Sequence, residues 1–167
     1  MIVVSPVLAT ANSAVAAVAM FVIGGLSGIF MASAPVDIHL HDTYFIVAHI
    51  HYVLFGGSVF TIFAGIYYWF PKMTGRMYDE GLGKLHFWLT FIGFNLTFGP
   101  MHLIGVQGMP RRVADYPEQF AGWNLFISLS SFLLGLSMLP FMYNVWKTAK
   151  YGKKIEVDDP WGYGRSL

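Results

Sequence analysis

Apolar residues fill four long stretches of the chain, and polar connections separate them. A helix needs roughly 20 apolar residues to cross a bilayer core. The stretches run from about 14 to 33, 45 to 70, 85 to 104 and 122 to 146. The pattern predicts an all-α integral membrane fold with four transmembrane helices, read as one unit over residues 1–167. Gly24, Gly25 and Gly28 give the first span a small-residue face suited to close helix packing. Pro71 is expected to end the second span, and Gly99 and Pro100 to interrupt the third. The connections are 34–43, 71–84 and 105–120, and a tail follows from Lys147 to Leu167. The N-terminal residues lack a basic leader region. The ATA at 9–11 resembles a cleavage site, but the apolar run continues to Ala34, which reads as a span. The chain reads as a piece of something longer.

Composition sharpens this picture. Hydrophobic residues make up 56% of the chain and charged residues 11%, and mean hydropathy is +0.56. That is too little charge to cover the surface of a soluble domain. The net charge of +1 argues against a nucleic-acid partner. The absence of cysteine excludes disulfides, thiolate metal sites and a cysteine nucleophile. Basic residues then set the orientation. Lys72, Arg76, Lys84, Lys147, Lys150, Lys153, Lys154 and Arg165 share one side, expected to be the cytoplasmic one, with both termini. On the outer side lie Asp37, His39, His41, Asp42, Arg111, Arg112, Asp115 and Glu118. Arg111 and Arg112 break the charge bias, which points to a specific anionic partner.

The candidate chemistry sits at the start of the second span, HDTYFIVAHIHYV, residues 41–53. Positions i and i+2 on a helix are about 200° apart. His49 and His51 therefore face opposite sides and cannot chelate one metal as an i, i+4 pair would. Neutral imidazole is the commonest metal ligand, and its second nitrogen needs a partner. One economical arrangement is a haem on each side, with the helix as a wedge; Gly56 and Gly57 would then relieve crowding around the rings. The simpler alternative is two structural histidines bonded to neighbouring helices. Adjacent arginines suit haem propionates, or else interfacial snorkelling and lipid phosphate. His41 with Asp42 suits a hard divalent ion, magnesium or manganese; Asp42 or Thr43 would also serve as a helix N-cap. Asp37 would join that network or bond a propionate, and His39 reads as an exposed loop residue.

The residues HDTYFIVAHIHYV, WFPKMTG, KLHFWLTFIGFNLTFGPMHLIG and GMPRRVADYP closely resemble subunit I of cytochrome c oxidase, in the haem–copper oxidase superfamily. The likeness runs from about Phe21 to Tyr143, and the tail DPWGYG resembles prokaryotic members, which implies the prokaryotic plasma membrane. The resemblance implies the last four helices of a twelve-helix bundle. It implies His49 as the proximal ligand of the high-spin haem (a3) and His51 as an axial ligand of the low-spin haem (a), both haem A. It also implies magnesium at His41 and Asp42, Asp37 near the propionates of the high-spin haem, and Arg111 and Arg112 as propionate anchors. Ile50 and Val113 stand where the family often has aromatic residues. The family's copper ligands, second low-spin axial histidine, crosslinked tyrosine and proton-channel acid have no counterpart here. His86 and His102 receive no metal.

The implied activity is reduction of dioxygen to water with electrons from cytochrome c, coupled to proton pumping. The implied partners are the remaining helices of subunit I, subunits II and III, cytochrome c and lipid. The alternatives are a quinol oxidase of the same superfamily, a split-gene membrane module inactive without the missing helices, and a two-haem electron-transfer protein.

Overall fold

The computed structural model describes residues 8–156 and Trp161. Arg165, and all of the DPWGYG motif except Trp161, lie outside the described residues. Seven α-helices form in chain order: α1 Leu8–Ala32, α2 Ala34–Leu40, α3 Tyr44–Ile50, α4 Phe60–Thr74, α5 Glu80–Val106, α6 Ala121–Leu136 and α7 Met138–Tyr151. A π-helical segment, His51–Val59, joins α3 to α4. Two short strands, β1 Arg76–Met77 and β2 Lys153–Lys154, pair antiparallel. Among the described residues four spans are long and apolar enough to cross a membrane: Ala9–Ala32, Tyr44–Thr74, Glu80–Val106 and Glu118–Tyr151.

The four expected spans are present, and their ends differ from the expectation for physical reasons. Pro71 does not end the second span. It lies buried inside α4, and the helix stops at Gly75, whose φ of 64° gives the left-handed cap that frees the chain to turn. Pro100 does not interrupt the third span, which runs unbroken as α5. Loss of one backbone donor is tolerated where neighbouring helices hold the backbone in place. The fourth span divides at Ser137 into α6 and α7; there the buried Ser137 Oγ lies 2.9 Å from Thr90 Oγ1 of α5. The connection 34–43 holds α2, begun by Ser33 and Pro35, a proline position that favours helix initiation.

Helix α5 is the centre of the bundle, with α3 on one side and α6 and α7 on the other; α1 packs along the π segment and α4. Phe60, Phe94, Ile104, Met109 and Phe120 are fully buried in the main core. The opposite faces are apolar and exposed: Val15, Ile29, Leu129 and Phe132 each show more than half their surface. Such faces are stable against lipid or further helices, not against water.

Each end of the bundle is tied. At the basic end β1 pairs with β2, so the 71–84 connection and the tail share one side as the charge pattern requires. Lys147 Nζ lies 2.6 Å from Asp79 Oδ2, and Asn144 Nδ2 donates to Asp79 O at 2.9 Å while its Oδ1 accepts from Asp79 N at 3.0 Å. Asp79 also caps α5, accepting from Leu82 N at 3.2 Å. The Ala9 amide reaches Glu80 Oε1 at 3.2 Å, which brings the start of α1 to the same end. Trp161 stacks on Tyr68 and donates from Nε1 to its carbonyl at 3.2 Å.

Two expectations follow. A Cβ on Gly105 would collide with the Phe45 amide nitrogen, so α3 and α5 touch backbone to backbone there. Gly105→Ala is expected to destabilise the α3–α5 contact by about 1–3 kcal/mol, an overpacking cost. An unchanged thermal midpoint would contradict this. Separately, the Lys147 hydrogen bond, helped by the Leu82 amide, holds the Asp79 carboxyl below its ordinary 3.8. A folded value below the unfolded one gives stability that is complete above 3.8 and fades as pH falls through the lowered value. Amide exchange across β1 and β2, corrected for intrinsic rates, is expected to rise in that acid range, and Asp79→Asn to flatten the dependence.

Candidate functional site

The second span starts at Thr43, whose extended backbone and Oγ1, accepting from Phe45 N at 3.2 Å, cap α3 as the sequence suggests. One and a half turns on comes His49, and two residues later His51 opens the π segment. The two imidazoles turn to different neighbours. His49 turns to α1, where Nδ1 lies 2.8 Å from Gly24 O and 3.0 Å from Ser27 Oγ. His51 turns to α5, stacked on Phe98 with ring centroids 4.1 Å apart and planes 13° apart. Its Nδ1 lies 2.7 Å from Val47 O, one turn back on its own helix.

These contacts fix the tautomer. A carbonyl oxygen only accepts, so Nδ1 must carry the proton in both rings. In the neutral ring Nε2 then keeps its lone pair, the form in which imidazole ligates a metal. The half-buried rings are thus two single-point donors on two flanks of one helix. Among the described residues no group of three or more His, Asp or Glu gathers to hold an ion by itself. Any metal bound here takes its other ligands from a cofactor or from other segments.

The glycines of α1 make room for this arrangement. A Cβ on Gly28 would sit 2.8 Å from His49 Cε1, and one on Gly24 would sit 2.9 Å from Val53 N. Gly25 meets nothing within 4 Å, so two of the three small residues form the contact. Gly56 and Gly57 lie against α1. Their added Cβ atoms would meet Met20 Cβ at 2.5 Å and Phe21 Cδ2 at 3.1 Å.

The outer loops are fastened directly to the start of α3. Tyr44 N donates to Met109 O at 2.9 Å, Arg111 N donates to Asp42 O at 2.9 Å, and Thr43 bridges Pro110. Arg111 Nε and Nη2 both bond Asp42 Oδ1, at 2.9 and 2.6 Å. That hydrogen bond and the guanidinium charge hold the Asp42 carboxyl below its ordinary range. Asp42 and Arg112 both have positive φ, 59° and 61°. His41 Nδ1 lies 2.9 Å from Asp37 O and donates its proton there. His41, Asp42 and Arg111 are therefore neighbours; Asp37 joins them through its carbonyl, and His39 is exposed on α2. Arg112 is exposed beside this group and adds to the lowering at Asp42.

His102 packs edge-on against Phe45 and Tyr52, with centroids 5.2 Å away in each case. His86 is buried at the basic end, its Nδ1 2.9 Å from the Tyr67 hydroxyl and its ring against Phe63 and Phe141. Sequence reasoning missed Ser27, the Asp42–Arg111 pair and the π segment. Only Ser27 left a signal, as the hydroxyl within the small-residue run GGLSG.

The model of the family described as cytochrome c and quinol oxidase polypeptide I matches residues 4–150. The chain belongs to that family. It is 60% identical over 149 residues to a probable cytochrome c oxidase subunit 1-alpha of Streptomyces coelicolor, covering 88% of this chain and 26% of the relative. It is 58% identical over 149 residues to cytochrome c oxidase subunit 1 of Corynebacterium diphtheriae, with the same coverage. The chain thus spans about a quarter of the length of the curated relatives it matches. A chain from a cryo-EM structure of a heme–copper terminal oxidase dimer shares its fold, with TM-score 0.76, 24% identity, 90% of this chain covered and 29% of that one. This member of the oxidase polypeptide I family is an integral membrane protein of the bacterial plasma membrane.

The outer fastening predicts a ranked response. Asp42→Gly removes the carboxylate that pairs with Arg111 and leaves a residue that tolerates the left-handed backbone. Asp42→Ala removes the same pair and adds a left-handed backbone cost of about 1 kcal/mol. Amide exchange at Tyr44 and Arg111 is expected to be about fivefold faster in Asp42→Ala than in Asp42→Gly. Equal rates would show that the positive φ carries no strain.

Proposed function

We propose that this chain forms the last four of twelve helices in the catalytic subunit of cytochrome c oxidase and supplies axial ligands to both of its haems. The carrying observation is the pair of imidazoles on opposite flanks, each with Nδ1–H bonded to a main-chain carbonyl and Nε2 left as a donor. A neutral imidazole held by a second partner fits haem iron. His49 would hold the high-spin haem a3 and His51 the low-spin haem a. When bound, the haems and a copper held by ligands outside this chain supply the electron transfer and the reduction of dioxygen to water.

This chain's own residues hold, space and neutralise. The helix between His49 and His51 fixes the separation of the two sites. Arg111 uses two donors on Asp42 and retains others of its five for a propionate. Arg112, exposed beside it, would serve the same group. Neutralised propionates stabilise ferric iron less, so both arginines would raise haem potentials. Asp37 would meet the propionates of the high-spin haem. His41 and Asp42 would take part in a magnesium or manganese site completed by a neighbouring subunit. Both Arg111 contacts fall on Oδ1, which leaves Asp42 Oδ2 outside that pair.

The donor would be cytochrome c, with subunits II and III as partners and proton pumping coupled to turnover. The relatives' names favour cytochrome c, while the family description also covers quinol oxidases. By itself the chain would be inactive, because the other metal ligands lie on the remaining helices.

In the assembled enzyme His49→Ala is expected to abolish the carbon monoxide difference spectrum of the high-spin haem and spare the low-spin band. His51→Ala is expected to do the reverse. Loss of the same band in both variants would overturn the two-sided arrangement.

A further inference from the structure

The GGLSG run of α1 holds more than a gap for the His49 ring. Ser27 is buried, 7% exposed, in the contact between α1 and α3. Its Oγ lies 2.7 Å from Gly24 O and 3.0 Å from His49 Nδ1, and His49 Nδ1 lies 2.8 Å from the same Gly24 oxygen. Three polar atoms thus meet in one triangle. The hydroxyl has one proton, and the shorter contact directs it to Gly24 O. The imidazole proton then faces the Gly24 carbonyl, with the hydroxyl oxygen as a longer, secondary acceptor.

The carbonyl is shared as well. Inside α1 the helical ladder directs the Gly28 amide to Gly24 O. A carbonyl oxygen has two lone pairs. The Ser27 hydroxyl therefore competes with the imidazole for acceptor capacity that is already in demand. Removing the hydroxyl would have two opposed effects. It would free part of the carbonyl for His49, and it would delete the secondary acceptor at 3.0 Å. The carbonyl contact is the shorter at 2.8 Å and involves the stronger acceptor, so the first effect wins.

We infer that Ser27 is a positioning residue for His49: its hydroxyl draws on the Gly24 carbonyl and so limits how strongly that carbonyl pulls on the imidazole proton, which sets the electron-donating strength of His49 Nε2. The inference rests on the reading of His49 as an iron ligand and extends it to the residue that tunes the ligand. A partner on the far nitrogen of a ligating histidine raises the ligand's basicity. Weakening that partner lowers basicity and raises the potential of the iron it holds. Ser27 touches neither substrate nor cofactor and acts only through the ring.

The test uses the assembled oxidase containing this chain, reduced, with the iron–imidazole stretching band of the high-spin haem and its midpoint potential as readouts. Ser27→Ala is expected to move the band to higher frequency and the potential lower, leaving the low-spin haem unmoved. Ser27→Thr, which keeps the hydroxyl, is expected to hold both at their original positions. Ser27→Cys, with a weak donor of similar size, is expected to shift partway in the Ala direction and stands in for Ala if that variant does not assemble. An unmoved or lowered frequency in the Ala or Cys variant overturns the inference, as does a Thr variant that shifts as far as Ala. A band that survives His49→Ala overturns the ligand reading itself. A band lost in His49→Ala but unmoved by Ser27 variants overturns the Ser27 inference alone.

Discussion

The hydrogen bond from His49 Nδ1–H to the Gly24 carbonyl is the constraint on which the site depends. It joins two spans, fixes one tautomer and leaves one nitrogen as a donor. It also dictates sequence. The ring reaches the α1 backbone only because Gly28 has no side chain to occupy its place. His51 bonds Val47 O on its own helix instead, while its ring stacks on Phe98 of α5. One imidazole is therefore hydrogen-bonded across to a second span and the other within its own. A distortion of the α1–α3 contact would reach His49 first.

The two ends of the bundle serve this contact differently. At the basic end, Asp79, Asn144 and Lys147 tie α5 to α7, and the β1–β2 pair closes the tail over the 71–84 connection. At the other end, Asp42 and Arg111 fasten the loop before α3 to the loop after α5. The outer fastening lies seven residues before His49 and uses the residues proposed for the ion and propionate sites. At the same outer end, Gly105 brings α5 into backbone contact with α3 at Phe45. The start of the helix that carries His49 is thus clamped from both sides of the connection.

Much of this was legible in the sequence. Four apolar runs specify four spans, and the lysines and arginines place the 71–84 connection with the tail. The i, i+2 spacing specifies that His49 and His51 face apart, and Thr43 reads as a cap. The failures have physical causes. Proline is a weaker stop signal in a packed membrane helix than in water, so Pro71 and Pro100 lie inside helices. The pairing of Asp42 with Arg111 spans 69 positions, and no local pattern encodes it. The π segment, His51–Val59, has no periodic signature in the sequence.

A high-resolution map of the complete oxidase tests the central claim most directly, by locating both irons relative to this helix. The account requires one iron bonded to His49 Nε2 on the α1 flank and another bonded to His51 Nε2 on the opposite flank, with Gly24 and Val47 carbonyls still gripping the Nδ1 protons. Iron bonded through Nδ1, or both rings directed at a single metal, would contradict it.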